Sequence, residues 1–343
     1  MKVPGAPMPV TRAKPCSPVV DSVLDLVGCT PMLRLGRFAP EAQLFAKLEY
    51  LNPGGSVKDR VALHMLRAAE ARGELQPGRS TVIEATAGNT GLGLALACRA
   101  LGYRCIIVMT TKYSVEKMQL VKALGAELVV LPREVGMDGA VDHTRALAQR
   151  IPGAWLSRQY ENADNVAAHA EGTAEEIWRQ MEGRVDGVAI AAGSGGSFTG
   201  IVGRLKSHNP RLVAWCVQPV GSCYGDREVG AWQVEGIGST SVPAVLDLSL
   251  ADRIVDVSDE DSLATARALI ATEGTLVGGS SGCNTWAALQ LARSLPPGSR
   301  VVTLLCDGAE RYLSKFPVAD VSRELAASAD LESRAGSGFG HSL

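Results

Sequence analysis

Lys58 stands where a lysine is electrostatically misplaced. In the stretch NPGGSVKDRVALHML, Gly54 and Gly55 open a turn and Ser56 reads as a helix N-cap. An apolar period follows at Val57, Val61, Met65 and Leu66. Lys58 is then the second residue of a helix, and the first turn of a helix favours anions over cations. The ammonium form is disfavoured there, and a lysine with a lowered pKa is a nucleophile toward carbonyls. A solvated surface lysine is the ordinary fate of this residue type, so the reading depends on what surrounds it.

Three turns supply those surroundings. EATAGNTGLGLALA has a polar turn before a helix that starts near Thr90. AIAAGSGGSFTGIVGRL sets Gly193, Ser194, Gly195, Gly196 and Ser197 between an apolar run and a helix. LVGGSSGCNTWAALQLA does the same with Gly278, Gly279, Ser280, Ser281 and Gly282. Glycines admit close backbone approach, and free N–H groups with a helix dipole favour a phosphate. The second turn is the best cradle, because it offers glycines and two hydroxyls together. It does not fit the dinucleotide fingerprint, since Phe198 occupies the place of the last glycine, and no Lys-Ser/Thr pair makes it a P-loop. A small phosphorylated ligand suits it better than NAD or ATP. A reactive lysine, a phosphate cradle and polar turns are together the inventory for pyridoxal phosphate.

The elements that must position these groups alternate in type. TVIEA, RCIIVM and AELVVLP are each followed by a helical pattern; GVAIAAG, RLVAWCVQP, DRIVDVSD and RVVTLLC continue the series. Continuous apolar strands alternating with helices imply an α/β architecture with buried, mostly parallel sheets. The strands are too many for one comfortable sheet, and 343 residues suffice for about two domains. The expected organisation is a loose tail at 1–17, an N-terminal lobe at 18–160, a C-terminal lobe at 161–323 and a second tail at 324–343. The break falls near SRQYENADN.

Composition bounds the partners. With 46% hydrophobic and 20% charged residues the chain reads as soluble and globular. A net charge of -2 gives no electrostatic reason for nucleic acid or a membrane surface as partner. No run reaches membrane-spanning length, and the first twenty residues lack the apolar core of a signal peptide. Eight scattered cysteines without a CxxC pair argue against a metal site and for a reducing cytosol. His64, His143, His169 and His208 are placed singly on helical stretches and read as structural.

VGCTPMLRL, NPGGSVKDR, ATAGNTGLGLALA, SVEKMQLVKALGAEL, GSGGSFTG, EGIG and GGSSG occur in that order from about residue 20 to 317. In this the chain resembles the fold-type II pyridoxal-phosphate β-replacement enzymes, the cysteine synthase and cystathionine β-synthase family. GYRCIIVM and EGIGSTSVPAVLD lean toward the cystathionine β-synthase catalytic core. The resemblance implies a fold like the tryptophan synthase β-subunit: two three-layer α/β/α lobes with pyridoxal 5'-phosphate between them. By position, Lys58 is the Schiff-base lysine and later the acid/base group. Asn89 contacts the cofactor's ring oxygen, Gly193, Ser194, Gly195, Gly196 and Ser197 hold its phosphate, and Ser280 faces its pyridine nitrogen. Thr86, Ala87, Gly88, Thr90 and Gln159 match the segments that grip the substrate carboxylate. Gly236 lies in the segment that faces the substrate amine, and Tyr160 is a second catalytic candidate, as in cystathionine-forming relatives.

The implied reaction is β-replacement on L-serine or an O-activated L-serine through an aminoacrylate, with a thiol adding to give cystathionine or cysteine. A cytoplasmic homodimer acting on small amino-acid substrates is implied as well. Three departures bear on the substrate pair: Ala87 where relatives carry Ser or Asn, MTTKYS on the segment that closes over the site, and Cys306 where a proline is usual. They motivate a second reading, a specialised synthase of a β-substituted alanine using an amine or another nucleophile. A third is a non-catalytic binding partner, against which Lys58 and the phosphate turn argue.

Overall fold

A computed structural model describes residues 19–225 and 227–315. The expected tails at 1–17 and 324–343 lie outside the described residues.

Among the described residues ten strands form two sheets. β1 (Met32–Arg34) and β2 (Gln43–Leu48) come first, followed by β3 (Thr81–Ala85), β4 (Arg104–Thr110), β5 (Glu127–Leu131) and β6 (Ala154–Leu156). β7 (Gly187–Ala191), β8 (Val213–Pro219), β9 (Arg253–Val257) and β10 (Arg300–Leu305) complete the set. The smaller sheet has the order β5-β4-β3-β6 and is parallel throughout. The larger has the order β1-β2-β10-β7-β8-β9, with only β1 antiparallel to its neighbour.

Every residue of β3 and β7 is buried, as central parallel strands covered on both faces must be. On the smaller sheet, α1 (Lys58–Ala71) and α2 (Asn89–Leu101) bury Val61, Met65, Leu66, Leu92 and Leu94 against Val82, Ile107 and Met109. α4 (Gly136–Arg150) covers the opposite face with Ala140 and Val141 against Ala85 and Val108. On the larger sheet, α7 (Gly196–His208) packs Phe198, Ile201 and Leu205 on one face, and α9 (Gly279–Ser294) packs Ala287, Ala288 and Leu291 on the other. Two three-layer α/β/α units result.

The chain does not divide at one point. The expected lobe of 18–160 gives up β1 and β2 to the larger sheet, where β2 pairs in parallel from Gln43↔Arg300 to Leu48↔Leu305. The physical reason is burial. Leu44, Ala46 and Leu48 belong to the core of the larger unit, and β10 has no other neighbour on that side. The next segment, α1, then spans the gap between units. Its Arg60 donates from Nε to Glu49 at 2.7 Å and from a terminal nitrogen to Glu176 at 2.6 Å, while Lys47 of β2 pairs with Glu176 at 2.7 Å. Lys47, Glu49 and Arg60 are buried. A buried charge cluster contributes little net stability, but removal of one member leaves a stranded charge costing about 3–5 kcal/mol. The cluster therefore fixes where the start of α1 sits.

Candidate active site

A cavity of about 930 Å³ opens where the C-terminal ends of the parallel strands meet. Lys58, Thr86, Ala87, Asn89, Thr90, Gln159, Tyr160, Gly193, Ser194, Gly195, Ser197, Gly236 and Ser280 all line it. They come from both units and from separate turns. Gly88 and Gly196 do not line it. A Cβ on Gly88 would lie 2.3 Å from Lys117 Cδ, and one on Gly196 would lie 2.1 Å from Asn165 Oδ1. At both positions a side chain would strike protein, so glycine is required, and what either can offer a ligand is backbone.

Lys58 is the first residue of α1 rather than the second, and Ser56 is not its N-cap. The Ser56 hydroxyl does accept the Lys58 N–H at 3.3 Å. Burial lowers the Lys58 pKa, opposed by the nearby Asp307 carboxylate. Burial is the first cause of the shift. The neighbouring Asp59 carboxyl accepts the Gly54 N–H at 2.6 Å, and burial pushes its pKa from 3.8 up to about 7 despite that hydrogen bond and the charge of Arg311. A Cβ on Gly54 would fall 2.5 Å from that carboxylate, so the turn before Lys58 requires glycine there.

The turn between β3 and α2 presents first-turn N–H groups, which have no intrahelical acceptors. The Thr86 hydroxyl accepts the Gly88 N–H at 3.0 Å, and Thr90 donates to Gln159 Oε1 at 2.6 Å. Gln159 Nε2 donates to Glu84 at 3.2 Å. Glu84, buried in β3, also accepts from Ser157. Burial pushes its pKa from 4.5 up to about 7 despite those hydrogen bonds. A carboxyl whose folded pKa is raised contributes stability that is full below about 4.5 and lost as pH rises through about 7. Glu84→Gln removes that titration while retaining an acceptor. Its melting temperature should gain on wild type between pH 4.5 and 7 and then level off, by at most about 3 kcal/mol in stability. A gain that does not vary with pH would show that Glu84 stays in one charge state.

The glycine-serine turn is held from behind by two residues that spacing did not single out for this role. Asn165 Nδ2 donates to the Ser194 hydroxyl at 3.0 Å and to the Gln159 carbonyl at 2.7 Å, joining both sides of the cavity. His169 Nε2 lies 2.9 Å from the Ser197 hydroxyl, and its Nδ1 lies 2.9 Å from the Thr173 hydroxyl. Burial, reinforced by the charges of Lys58, Arg60 and His64, holds His169 well below the ordinary histidine pKa, so it is neutral. The structural reading of His169 agrees with this position. Gly195 has φ +93, and a Cβ on Gly193 would strike the Gly236 carbonyl at 2.4 Å.

Asn89 is fixed at both ends of its amide. It donates to Asp307 at 2.6 Å and accepts from Arg311 at 3.1 Å. Ser280 is buried at the start of α9. Tyr160 is half-buried; burial, then the charges of Tyr113, Glu84 and Asp138, raise its pKa, so the phenol is neutral at ordinary pH.

The segment after β4 is tied down across the cavity. Lys117, buried on α3 (Val115–Ala123), pairs with Glu235 at 2.9 Å, and its Nζ lies 4.1 Å from the Tyr312 ring centroid. Lys315 pairs with Glu235 at 2.7 Å. Lys112 lies over the Trp232 ring at 5.4 Å. These partners lie 80 or more residues apart in sequence, so no spacing signal identifies them. Among the described residues no group of three or more His, Cys, Asp or Glu side chains is placed to hold a metal ion, and no helix is long and apolar enough to cross a membrane.

A family model described as "Pyridoxal-phosphate dependent enzyme" matches residues 23–307. The cystathionine beta-synthase of Mus musculus is 44% identical over 311 residues, covering 87% of this chain and 55% of the mouse protein. The chain thus spans about half the length of the curated relatives of that kind. An O-acetylserine dependent cystathionine beta-synthase from Helicobacter pylori superposes with a TM-score of 0.83 at 37% identity, covering 87% of this chain and 99% of that one. O-ureido-L-serine synthase superposes with a TM-score of 0.85 at 37% identity, covering 91% of this chain and all of that one.

Proposed function

We propose, for a chain that belongs to the pyridoxal-phosphate dependent enzyme family, that it catalyses β-replacement on L-serine or an O-activated L-serine, with a thiol as the incoming nucleophile and cystathionine or cysteine as product. The observation that carries this reading is a lysine amine with a pKa lowered by burial, on the wall of a large cavity that also contains a glycine-serine cradle.

The residues fit the cofactor. Gly236 has φ +87, and no atom lies within 4 Å of where its Cβ would be, which leaves that stretch of cavity wall clear. The N–H groups and hydroxyls at the start of α7 match a phosphate in charge and size. When bound, pyridoxal phosphate supplies an electron-withdrawing ring that eases loss of the β-substituent. Lys58 anchors it, takes the proton from the substrate Cα and returns one to the product. Its lowered pKa suits both tasks at ordinary pH. Gly193, Ser194, Gly195, Gly196 and Ser197 hold the phosphate, with Asn165 and His169 orienting the two hydroxyls. Asn89 holds the ring oxygen, and Ser280 faces the ring nitrogen. Thr86, Ala87, Gly88, Thr90 and Gln159 receive the substrate carboxylate, and Gly236 the substrate amine. Tyr160, neutral, donates a hydrogen bond rather than acting as a base. A cytosolic setting is supported by the seven described cysteines, all free thiols. Homodimeric assembly rests on the family resemblance.

The test is a panel of L-serine and O-acyl-L-serines against sulfide, thiols and amines, with products read by mass. Cofactor-loaded protein that consumes none of the serines would refute the reading. A second reading, a specialised β-substituted alanine synthase using an amine or another nucleophile, is favoured by Ala87, which lines the cavity where Ser or Asn is usual in the family. Ala87→Ser separates the two. A hydrogen bond to a charged group contributes about 1.5–3 kcal/mol. Under the first reading the added hydroxyl should lower KM for the amino-acid substrate by roughly tenfold and leave nucleophile preference alone. A fall in kcat/KM with the native pair favours the second.

A further inference from the structure

Asn89 opens α2 and lines the cavity, and two buried residues from one short segment hold its amide. Asp307, just after β10, accepts from Nδ2 at 2.6 Å. Arg311, in the turn Ala309–Arg311, donates from a terminal nitrogen to Oδ1 at 3.1 Å. Asp307 and Arg311 are 1% and 3% exposed. The same Asp307 oxygen accepts the Tyr312 hydroxyl; burial, then the charge of Asp307, holds that phenol well above its ordinary pKa, so it keeps its proton. The second terminal nitrogen of Arg311 donates to the Gly54 carbonyl, in the turn that leads to Lys58, and a Cβ on Gly55 would collide with it. Asp307 also pairs its backbone with Ser56, at the end of that turn. The clamp on Asn89 is therefore built onto the segment that carries Lys58.

The partners leave one arrangement of the amide. A guanidinium only donates, so the Asn89 atom facing Arg311 is the oxygen and the atom facing Asp307 is the nitrogen. The reversed amide would set its oxygen against a carboxylate and its nitrogen against a cation. Both bonds would be lost, and buried polar groups without partners are costly. An amide nitrogen carries two hydrogens. Asp307 takes one, and among the described residues the second has no protein acceptor. What Asn89 offers the cavity is thus an N–H.

We propose that Asp307 and Arg311 are positioning residues that lock the Asn89 amide in this sense, so that its free N–H is a fixed donor to the ring oxygen of the cofactor and favours that oxygen in its deprotonated form. This rests on the assignment of Asn89 to the ring oxygen made above. A fixed donor favours an anionic oxygen over a hydroxyl, because a hydrogen bond to a charged acceptor is about twice as strong as one to a neutral acceptor. An amide free to turn could present either atom and would hold both forms alike. Because Arg311 also holds the Gly54 carbonyl, the donor and the start of α1 share one anchor.

The experiment compares wild type, Asn89→Ala, Asp307→Ala, Asp307→Asn, Arg311→Lys and the double variant Asn89→Ala with Asp307→Ala. Dissociation constants are read by tryptophan fluorescence for pyridoxal phosphate and for 3-deoxypyridoxal phosphate, which lacks the ring oxygen. The absorption of the bound cofactor is followed against pH, and thermal unfolding of each cofactor-free protein is the control for folding. Loss of a hydrogen bond to a charged group should weaken pyridoxal phosphate binding roughly ten- to a hundredfold in Asn89→Ala. Asp307→Ala and Arg311→Lys should each cost about threefold or more, with absorption moving toward the shorter-wavelength band of the protonated ring oxygen. Asp307→Asn, which keeps an acceptor, should recover most of the affinity. All variants should bind the 3-deoxy analogue as wild type does, and Asp307→Ala should add nothing to Asn89→Ala. If Asn89→Ala weakens binding while Asp307→Ala and Arg311→Lys do not, the role given to the clamp is wrong and that of Asn89 stands. An equal loss for the cofactor and its 3-deoxy analogue also overturns it, since the effect then runs through the fold or the Lys58 turn. If Asn89→Ala itself changes neither affinity nor spectrum, the assignment of Asn89 beneath the proposal fails. Should Asp307→Ala not fold, Arg311→Lys decides by the same comparisons.

Discussion

Lys58→Ala is expected to abolish turnover and leave the fold intact. The amine is the group proposed to hold the cofactor and to carry the Cα proton, and general acid–base work alone contributes about 10²–10⁴-fold. A loss of roughly a thousandfold or more is expected, read as product formed under multiple turnover. Stability should not fall, because burial disfavours this ammonium and its removal relieves that cost. The side chain also lines the cavity and does not fill a core position. Cofactor should still bind through the glycine-serine turn, with the absorption of free pyridoxal phosphate. Multiple turnover persisting in the variant would remove Lys58 from the mechanism. A lowered melting temperature would show that the amine has a structural partner.

Gly193→Ala should weaken cofactor binding by about tenfold or more without unfolding the protein. The added methyl would meet the Gly236 carbonyl at 2.4 Å, and backbone on both sides must give way. Overpacking of this kind costs about 1–3 kcal/mol, and here the strain falls on two segments proposed to touch ligand. Tyr224 limits the escape of the turn, since its hydroxyl donates to the Gly193 carbonyl at 2.8 Å. KM for the amino-acid substrate should rise together with the cofactor dissociation constant, because Gly236 is displaced as well. Fluorescence titration of cofactor and steady-state kinetics at saturating cofactor read the two effects separately. Unchanged values for both would mean that this close approach is packing and not part of the site.

The two predictions use different kinds of legibility. Lys58 was visible in sequence because a cation at a helix start beside a glycine turn is a local contradiction. The helix and the turn were both predictable from residues within a few positions. Burial as the main cause of its lowered pKa was not, since the protein around it is assembled from distant segments. Gly193 was visible as part of a glycine-serine turn, but its reason for being glycine was not. That reason is a carbonyl 43 residues away.

By itself the sequence determined the elements and the local chemistry. Apolar runs such as GVAIAAG and helical periods such as that of α1 depend on neighbours within one or two turns, so they are written along the chain. The three polar turns, the reactive lysine and the exclusion of a dinucleotide fingerprint belong to the same class. Tertiary structure alone decided which strands share a sheet. β2 joins β10 across some 250 residues because burial of Leu44, Ala46 and Leu48 outweighs continuity of the chain. It also decided what stands behind several site residues: Asn165 behind Ser194, His169 behind Ser197, and Glu84 behind Gln159. A hydrogen bond about 3 Å long constrains two residues in space and leaves no period or spacing in the chain, so these partners become visible only after the two sheets have closed on one another.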